Sequence, residues 1–147
     1  MERMTALDNL QVSLAEWDDD CATIRGIRNT VFSIEQGIPE TLDFDGRDHE
    51  CVHVLARLGD GEAVGTARML PDGHVGRIAV HKQWRGQGVG TRLVAFLTEV
   101  ARDRGFREIY LHSQAQAADF YSRLGFEVRG ETFMEAGIEH VPMVRIL

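Results

Sequence analysis

Gly76-Arg77-Ile78-Ala79-Val80 and, after a short loop, Arg85-Gly86-Gln87-Gly88-Val89-Gly90 form the stretch on which the fold turns. The first run reads as the end of a strand. The second opens a segment in which Val89, Leu93, Phe96, Leu97 and Val100 recur at helical spacing until Gly105. Glycines at a strand-to-helix turn let successive backbone N–H groups point at one spot without Cβ interference, and the helix N-terminus adds partial positive charge there. Such a turn binds a phosphate or pyrophosphate, although glycines so placed can also serve only to turn the chain. The Lys-[Ser/Thr] ending of a Walker A loop is absent, and what precedes the turn is wrong for a dinucleotide fold.

What precedes it is a meander. Cys51–Leu58 and Glu62–Leu70 are strand-like and joined by Gly59-Asp60-Gly61, and Pro71-Asp72-Gly73 leads into a third strand, Val75–His81. Upstream, Asn9–Ala15 alternates as a first strand. Asp18, Asp19 and Asp20 offer a cap and first-turn acids to a helix carrying Cys21, Ile24, Arg28 and Val31, which Gly37 and Pro39 stop. Glu40–Glu50 is acidic and turn-rich, a loop or short irregular helix. Downstream, Glu108–His112 is a short strand, and Ala117, Phe120, Tyr121 and Leu124 stripe a second helix closed by Gly125. Phe126–Phe133 and Val141–Ile146 read as two final strands. The order β-α-β-β-β-α-β-α-β-β predicts an α/β (α+β) architecture, a mixed, mostly antiparallel sheet flanked by helices.

With 147 residues and no repeat or linker, residues 1–147 read as a single domain. The net charge of −7 argues against a nucleic-acid partner, whose phosphates need clustered Lys and Arg. Cys21 and Cys51 are too few and too far apart for a disulfide framework or a cysteine zinc site. Met1–Leu10 lacks the apolar run of a signal peptide, and no stretch is apolar enough to span a bilayer, so the expected setting is cytoplasmic, without a membrane partner.

Arg85-x-x-Gly88-x-Gly90 after the Ala79-Val80 strand resembles the acetyl-CoA signature of the GNAT superfamily of N-acetyltransferases. Gln114-x-x-Ala117-x-x-Phe120-Tyr121-x-x-Leu124-Gly125-Phe126 is a second matching block, and the element order matches over nearly the whole chain. Val31–Pro39 with Glu135-Ala136-Gly137-Ile138 further resembles a bacterial GNAT subgroup. The resemblance implies acetyl-CoA as co-substrate with no metal, transfer of its acetyl group to an amine in a ternary complex, and a small-molecule or peptide acceptor. A homodimer is common in the resembled family. It implies that the backbone of Ile78, Ala79 and Val80 pairs with the pantetheine arm as a ligand adds to a sheet edge. The turn formed by Arg85, Gly86, Gln87, Gly88, Val89, Gly90 and Thr91 would hold the pyrophosphate. Gln114 falls where many members have a cofactor-contacting Asn, and the longer side chain departs from that pattern. Tyr121 matches the tyrosine that protonates the departing thiolate, a role open to a phenol at neutral pH; its place on an apolar stripe also suits a core residue.

A lysine-like ammonium, with a pKa near ~10.4, must lose a proton before it attacks. Glu35, His74, His81, His112, Glu135 and His140 are candidate bases, and histone-acetylating relatives carry a glutamate where His74 falls. His49-Glu50-Cys51-Val52-His53 spells the H-E-x-x-H zinc pattern, which needs a helix; on a strand the two histidines stand about 13 Å apart, too far to share a metal. Arg28-x-x-x-Phe32, Asp43-x-Asp45-x-x-Asp48 and Arg68 are similar to acyl-homoserine-lactone synthases, which use S-adenosylmethionine. Those generally lack the Arg-x-x-Gly-x-Gly turn, and their usual tryptophan is missing here. Otherwise the three acids either belong to a merely solvated loop or screen the acceptor by charge, favouring cationic ones. A third alternative is an acyl-CoA-binding module that performs no transfer.

Overall fold

The computed structural model describes residues 6–147; Met1–Thr5, half of the stretch read for a leader, lie outside the described residues. Strand β1 (Gln11–Ala15) leads into helix α1 (Trp17–Arg28), which widens into a π-helical segment at Asn29–Glu35. The short helix α2 (Glu40–Asp43) and a 3-10 turn at Asp48–Glu50 follow. Strands β2 (Val52–Arg57), β3 (Ala63–Met69) and β4 (Val75–Val80) then form the expected meander. Helix α3 (Val89–Asp103), strand β5 (Glu108–Gln114), helix α4 (Ala118–Arg123) and strands β6 (Glu127–Val128), β7 (Phe133–Glu135) and β8 (Ile138–Ile146) complete the chain.

The start of α1 differs from the sequence expectation. Glu16, extended at φ −98°, is the cap, and the three aspartates occupy the first turn, where they favour the helix dipole. Asp20 reaches back to accept the Glu16 N–H at 3.0 Å. The helical run ends where expected: Gly37 adopts φ 71°, and Ile38 N–H donates to the Phe32 carbonyl at 2.8 Å.

Two antiparallel sheets result, one ordered β1-β2-β3-β4 and one ordered β5-β8-β6 with β7 also on β8. They meet at a parallel bridge, His74 to Tyr110, beyond which β4 and β5 are not paired. Period 2 sends alternate residues of the first sheet to opposite helices. Val54 and Ala56 face the large core under α3, with Leu93 and Leu97 fully buried and Ile109, Phe126 and Met143 closing it from the second sheet. Leu55 and Ala79 pack with Ile24, Ile27 and Val31 on the other face. Each large apolar side chain so buried stabilises the fold by roughly 1.5–3 kcal/mol. Helix α3 lies close because Gly65 is bare: a Cβ there would stand 3.1 Å from Leu93 Cδ1 and 3.2 Å from Val89 Cγ1.

The tail carries one more strand than the pattern predicts. Ala136 and Gly137, both at positive φ (52° and 75°), reverse the chain between Glu135 and Ile138, so that β7 folds back on β8. This is the geometry of a two-residue hairpin turn, but Ala-Gly lacks the Asn or Asp that announces one. Alanine is strained in the left-handed region by roughly 1–2 kcal/mol. Ala136→Gly is therefore expected to stabilise the protein by up to ~1 kcal/mol, raising Tm by a few degrees in a thermal melt. An unchanged or lower Tm would mean that the turn carries no relievable strain.

Candidate active site

The unpaired stretch between β4 and β5 is the slot on which the functional residues converge. On β4 the register with β3 steps from Thr66↔Ala79 to Arg68↔Gly76, so Ala67 alone faces Arg77 and Ile78. This is a bulge, and Arg77 takes φ 49° within it. Ile78, just beyond, lines two cavities, one towards α3 and one towards β5.

The first cavity, about 510 Å³, is lined by Ile78, Val80, Trp84 and the start of α3. Gly86 (φ 74°) and Gly88 (φ 89°) lie in the left-handed region, and a Cβ built at either meets nothing within 4 Å. The first α3 amide bonded within this turn is that of Arg92, which donates to the Gly88 carbonyl at 3.1 Å. The amides of Val89, Gly90 and Thr91 are the orphan donors every helix start leaves. Trp84 adds a buried indole N–H that has no acceptor. Unbonded donors converging at the positive end of a fifteen-residue helix suit a phosphorylated ligand of coenzyme size.

The second cavity, about 390 Å³, lies between β4, β5 and the β7–β8 turn. Tyr121 enters it from α4, its ring edge-on to Phe120 at 4.9 Å and to Phe126 at 6.0 Å. Burial alone pushes its phenol up to about 12, so the hydroxyl keeps its proton at neutral pH. His74 stacks on Tyr110 at 4.6 Å and meets His112 at the same distance; His112 meets Phe133 edge-on, and Phe133 stacks on His140. Burial first, and the neighbouring His112 second, hold His74 down at about 4, so its imidazole is neutral.

Beside this cavity lies a buried ionic cluster. Arg28, 1% exposed, donates through Nε to Asp43 at 3.1 Å and through Nη1 to Asp48 at 2.7 Å. Arg68 bonds Asp48 at 2.9 Å and Asp45 at 2.6 Å. Arg77 bonds the Asp43 carbonyl at 3.1 Å and its carboxylate at 3.2 Å. Asp45, bonded to Arg68 at the cluster's exposed edge, and Asp48, buried between Arg28 and Arg68, are both held below the usual carboxylate range by those guanidiniums. Asp43 and Asp48 are thus buried rather than solvated, Asp45 stays at the solvent edge, and Arg28, Arg68 and Arg77 balance the three acids one for one. That balance removes the long-range steering charge expected of them.

Of the residues singled out in the sequence, Ile78, Val80, Arg85, Gly86, Gly88, Val89, Gly90 and Thr91 line the first cavity. Ala79 turns its side chain into the core, and Gln87 donates to the Gln83 carbonyl at 3.2 Å. Gln114 lines the second cavity, bonded at 2.9 Å to Gln36, which borders both. Among the candidate bases, His74, His112, Glu135 and His140 surround the second cavity. Glu35 pairs at 2.7 Å with Arg85 of the first cavity's lining, and neither it nor His81 lines a cavity. His49 and His53 are on a 3-10 turn and a strand; His53 is buried with Nε2 against the Asp48 carbonyl at 2.7 Å, while His49 is exposed. Gln36, Trp84 and Arg77 escape sequence reading, since nothing local marks an amide, an indole or a strand arginine as part of a site.

Residues 31–147 match the family described as Acetyltransferase (GNAT) domain. The Uncharacterized N-acetyltransferase YjcF of Bacillus subtilis (strain 168) is 34% identical over 123 residues, 81% of this chain and 87% of its own. The structure of an acyl-CoA N-acyltransferase from Pseudomonas aeruginosa superposes with a TM-score of 0.81 at 28% identity, covering 92% of this chain and 99% of that one. A GNAT family acetyltransferase from Elizabethkingia anophelis with acetyl-CoA bound shares the fold, with a TM-score of 0.67 at 16% identity over 95% of this chain and 99% of its own. Neither the S-adenosylmethionine-using alternative nor the non-catalytic one is favoured by these likenesses. With a glycine turn at a helix start lining one cavity, a buried phenol lining the neighbouring one, and a family match over most of its length, the chain belongs to the GNAT acetyltransferases and is an N-acetyltransferase.

Proposed function

We propose that acetyl-CoA occupies the first cavity and the slot along β4, that the amine enters through the second cavity, and that both are bound together when the acetyl group moves. The observation that carries this reading is the shared wall: Ile78 and Gln36 border both cavities, with Gly86 and Gly88 lining the first and Tyr121 the second. The amides from Gly86 to Thr91 hold the pyrophosphate, and the free edge of β4 at Ile78, Ala79 and Val80 pairs with the pantetheine amides. Arg85, now donating to the Val80 carbonyl at 2.8 Å, must yield that acceptor to the ligand. Bound acetyl-CoA supplies the activated acyl group.

The remaining chemistry belongs to the chain. The slot aligns amine and thioester, and a β4 backbone N–H stabilises the oxyanion. Tyr121 directs its hydroxyl proton at the sulfur. The proton shed by the amine goes to the histidine-lined wall, where the neutral His74 is able to accept one. Two unpaired thiols, Cys21 and Cys51, suit a reducing cytoplasm. Among the described residues no helix is long and apolar enough to cross a membrane. Val128, Met134 and Ile146, exposed on the second sheet, offer apolar surface for a homodimer.

Gly88→Asp tests the cofactor assignment. A carboxylate at the turn faces the pyrophosphate, and any side chain there is strained at φ 89°. Acetyl-CoA affinity measured by calorimetry on the folded variant is expected to fall about tenfold or more. Wild-type affinity would move the coenzyme elsewhere.

A further inference from the structure

The second cavity is built for only part of amine chemistry. Among the described residues Arg77 is the single guanidinium on its wall, and no lysine lines it. Its Nε is taken by Asp43, and its Nη2 bonds the Leu42 carbonyl at 3.2 Å and Asp45 at 3.4 Å. Its charge is spent inside the balanced cluster. Asp43, the buried carboxylate on the wall, is likewise held by Arg28 and Arg77.

Glu135 is different. It closes β7 at the edge of the Ala136-Gly137 turn, its side chain is 54% exposed, and its ion-pair partner among the described residues is His140, 3.7 Å away through Nε2. His140 turns its other nitrogen to the Ile138 carbonyl at 2.7 Å. The rest of the lining mixes apolar side chains such as Phe32, Ile38 and Leu42 with polar ones, the neutral His74, His112, Gln114 and Tyr121 among them. The cavity thus offers at its mouth one exposed carboxylate paired only with His140 at 3.7 Å, apolar side chains interleaved with neutral polar ones inside, and, among the described residues, no lysine or uncommitted guanidinium.

We propose that the acceptor is a cationic amine on an apolar or aromatic body that carries no carboxylate, guided by Glu135, so that amines are taken and the matching amino acids refused. This rests on the reading of the second cavity as the acceptor site. An ammonium approaching Glu135 gains a charge-assisted contact before it loses its proton further in. A carboxylate entering the same cavity is repelled by Glu135 and finds neither a lysine nor an uncommitted guanidinium to pair with, among the described residues.

Two matched pairs that differ only in the carboxylate test this: 2-phenylethylamine against phenylalanine, and cadaverine against lysine. Each is titrated calorimetrically into the full-length protein saturated with CoA, and acetyl transfer from acetyl-CoA to each is measured alongside. The amines are expected to bind about tenfold or more tighter than the amino acids. Glu135→Gln should weaken amine binding about fivefold while leaving acetyl-CoA affinity unchanged. Glu139→Gln, on the same hairpin and off the cavity wall, should change neither. Equal binding of both members of a pair, tighter binding of the amino acids, binding of neither, or no effect of Glu135→Gln would overturn the proposal. The two readings fail separately. Transfer to amine and amino acid alike refutes the selectivity and keeps the acceptor site, whereas selective binding with no transfer to any amine refutes the acceptor site itself.

Discussion

Tyr121→Phe is expected to lower kcat about 100-fold, with Tm and acetyl-CoA Kd unchanged. The ring packs edge-on against Phe120 and Phe126, and phenylalanine keeps all of that contact. Only the hydroxyl is lost. With the phenol pushed up to about 12 by burial, it is fully protonated across any practical pH range. An ordinary thiol titrates near ~8.5, so complete transfer to a free thiolate would be uphill by roughly 3.5 pKa units, or ~5 kcal/mol. The hydroxyl therefore acts chiefly by hydrogen-bonding the sulfur as negative charge develops on it, and removing one such preorganised donor costs roughly 10²–10³ in rate. Because the charge develops only as the C–S bond breaks, kcat and kcat/KM should fall together. A folded, CoA-binding variant that turns over at the wild-type rate would return Tyr121 to a packing role.

Arg28→Ala is expected to destabilise the fold by about 3–5 kcal/mol, the cost of leaving buried carboxylates without their partner. In a thermal melt that is a loss of about 10 °C or more for a chain of this size. Arg28 is the hub: it joins α1 to Asp43 and Asp48, and Asp43 in turn holds Arg77 in its left-handed conformation. The cluster costs desolvation and backbone strain, and its geometry is what offsets them. Arg28→Lys retains the charge but cannot fork between two carboxylates, so it should fall between Ala and the wild type. Since Asp43, Leu42 and Arg77 form one wall of the second cavity, the variants should also raise KM for the amine more than they lower kcat. A Tm within a degree of wild type for Arg28→Ala would show the cluster to be incidental.

Legibility in the sequence followed locality. The meander between Cys51 and His81, the stripe on α3 and the glycine turn at Arg85–Gly90 are patterns within a few residues, and the structure has each in place. The β7–β8 hairpin was illegible because its turn uses alanine where the backbone favours Asn, Asp or Gly. Asp43, Asp45 and Asp48 stood out, but their meaning did not. Whether a carboxylate is solvated or buried depends on what faces it, and here that is Arg28, fifteen and twenty residues away, and Arg68. Glu35 and Glu135 look alike as candidate bases in the sequence, yet one pairs with Arg85, fifty residues on, and the other stands open at a cavity mouth.

What the sequence by itself determined is the order and type of nearly all elements and the place of the glycine turn before α3. Periodicity and turn chemistry act between neighbours in the chain and so can be read from it. Tertiary structure alone decided that β4 and β5 separate beyond His74 and Tyr110, that three arginines balance Asp43, Asp45 and Asp48, and that Glu135 sits exposed at a cavity mouth beside His140. These are outcomes of burial and pairing between distant segments, where the local dielectric and the nearest opposite charge set what a side chain can do.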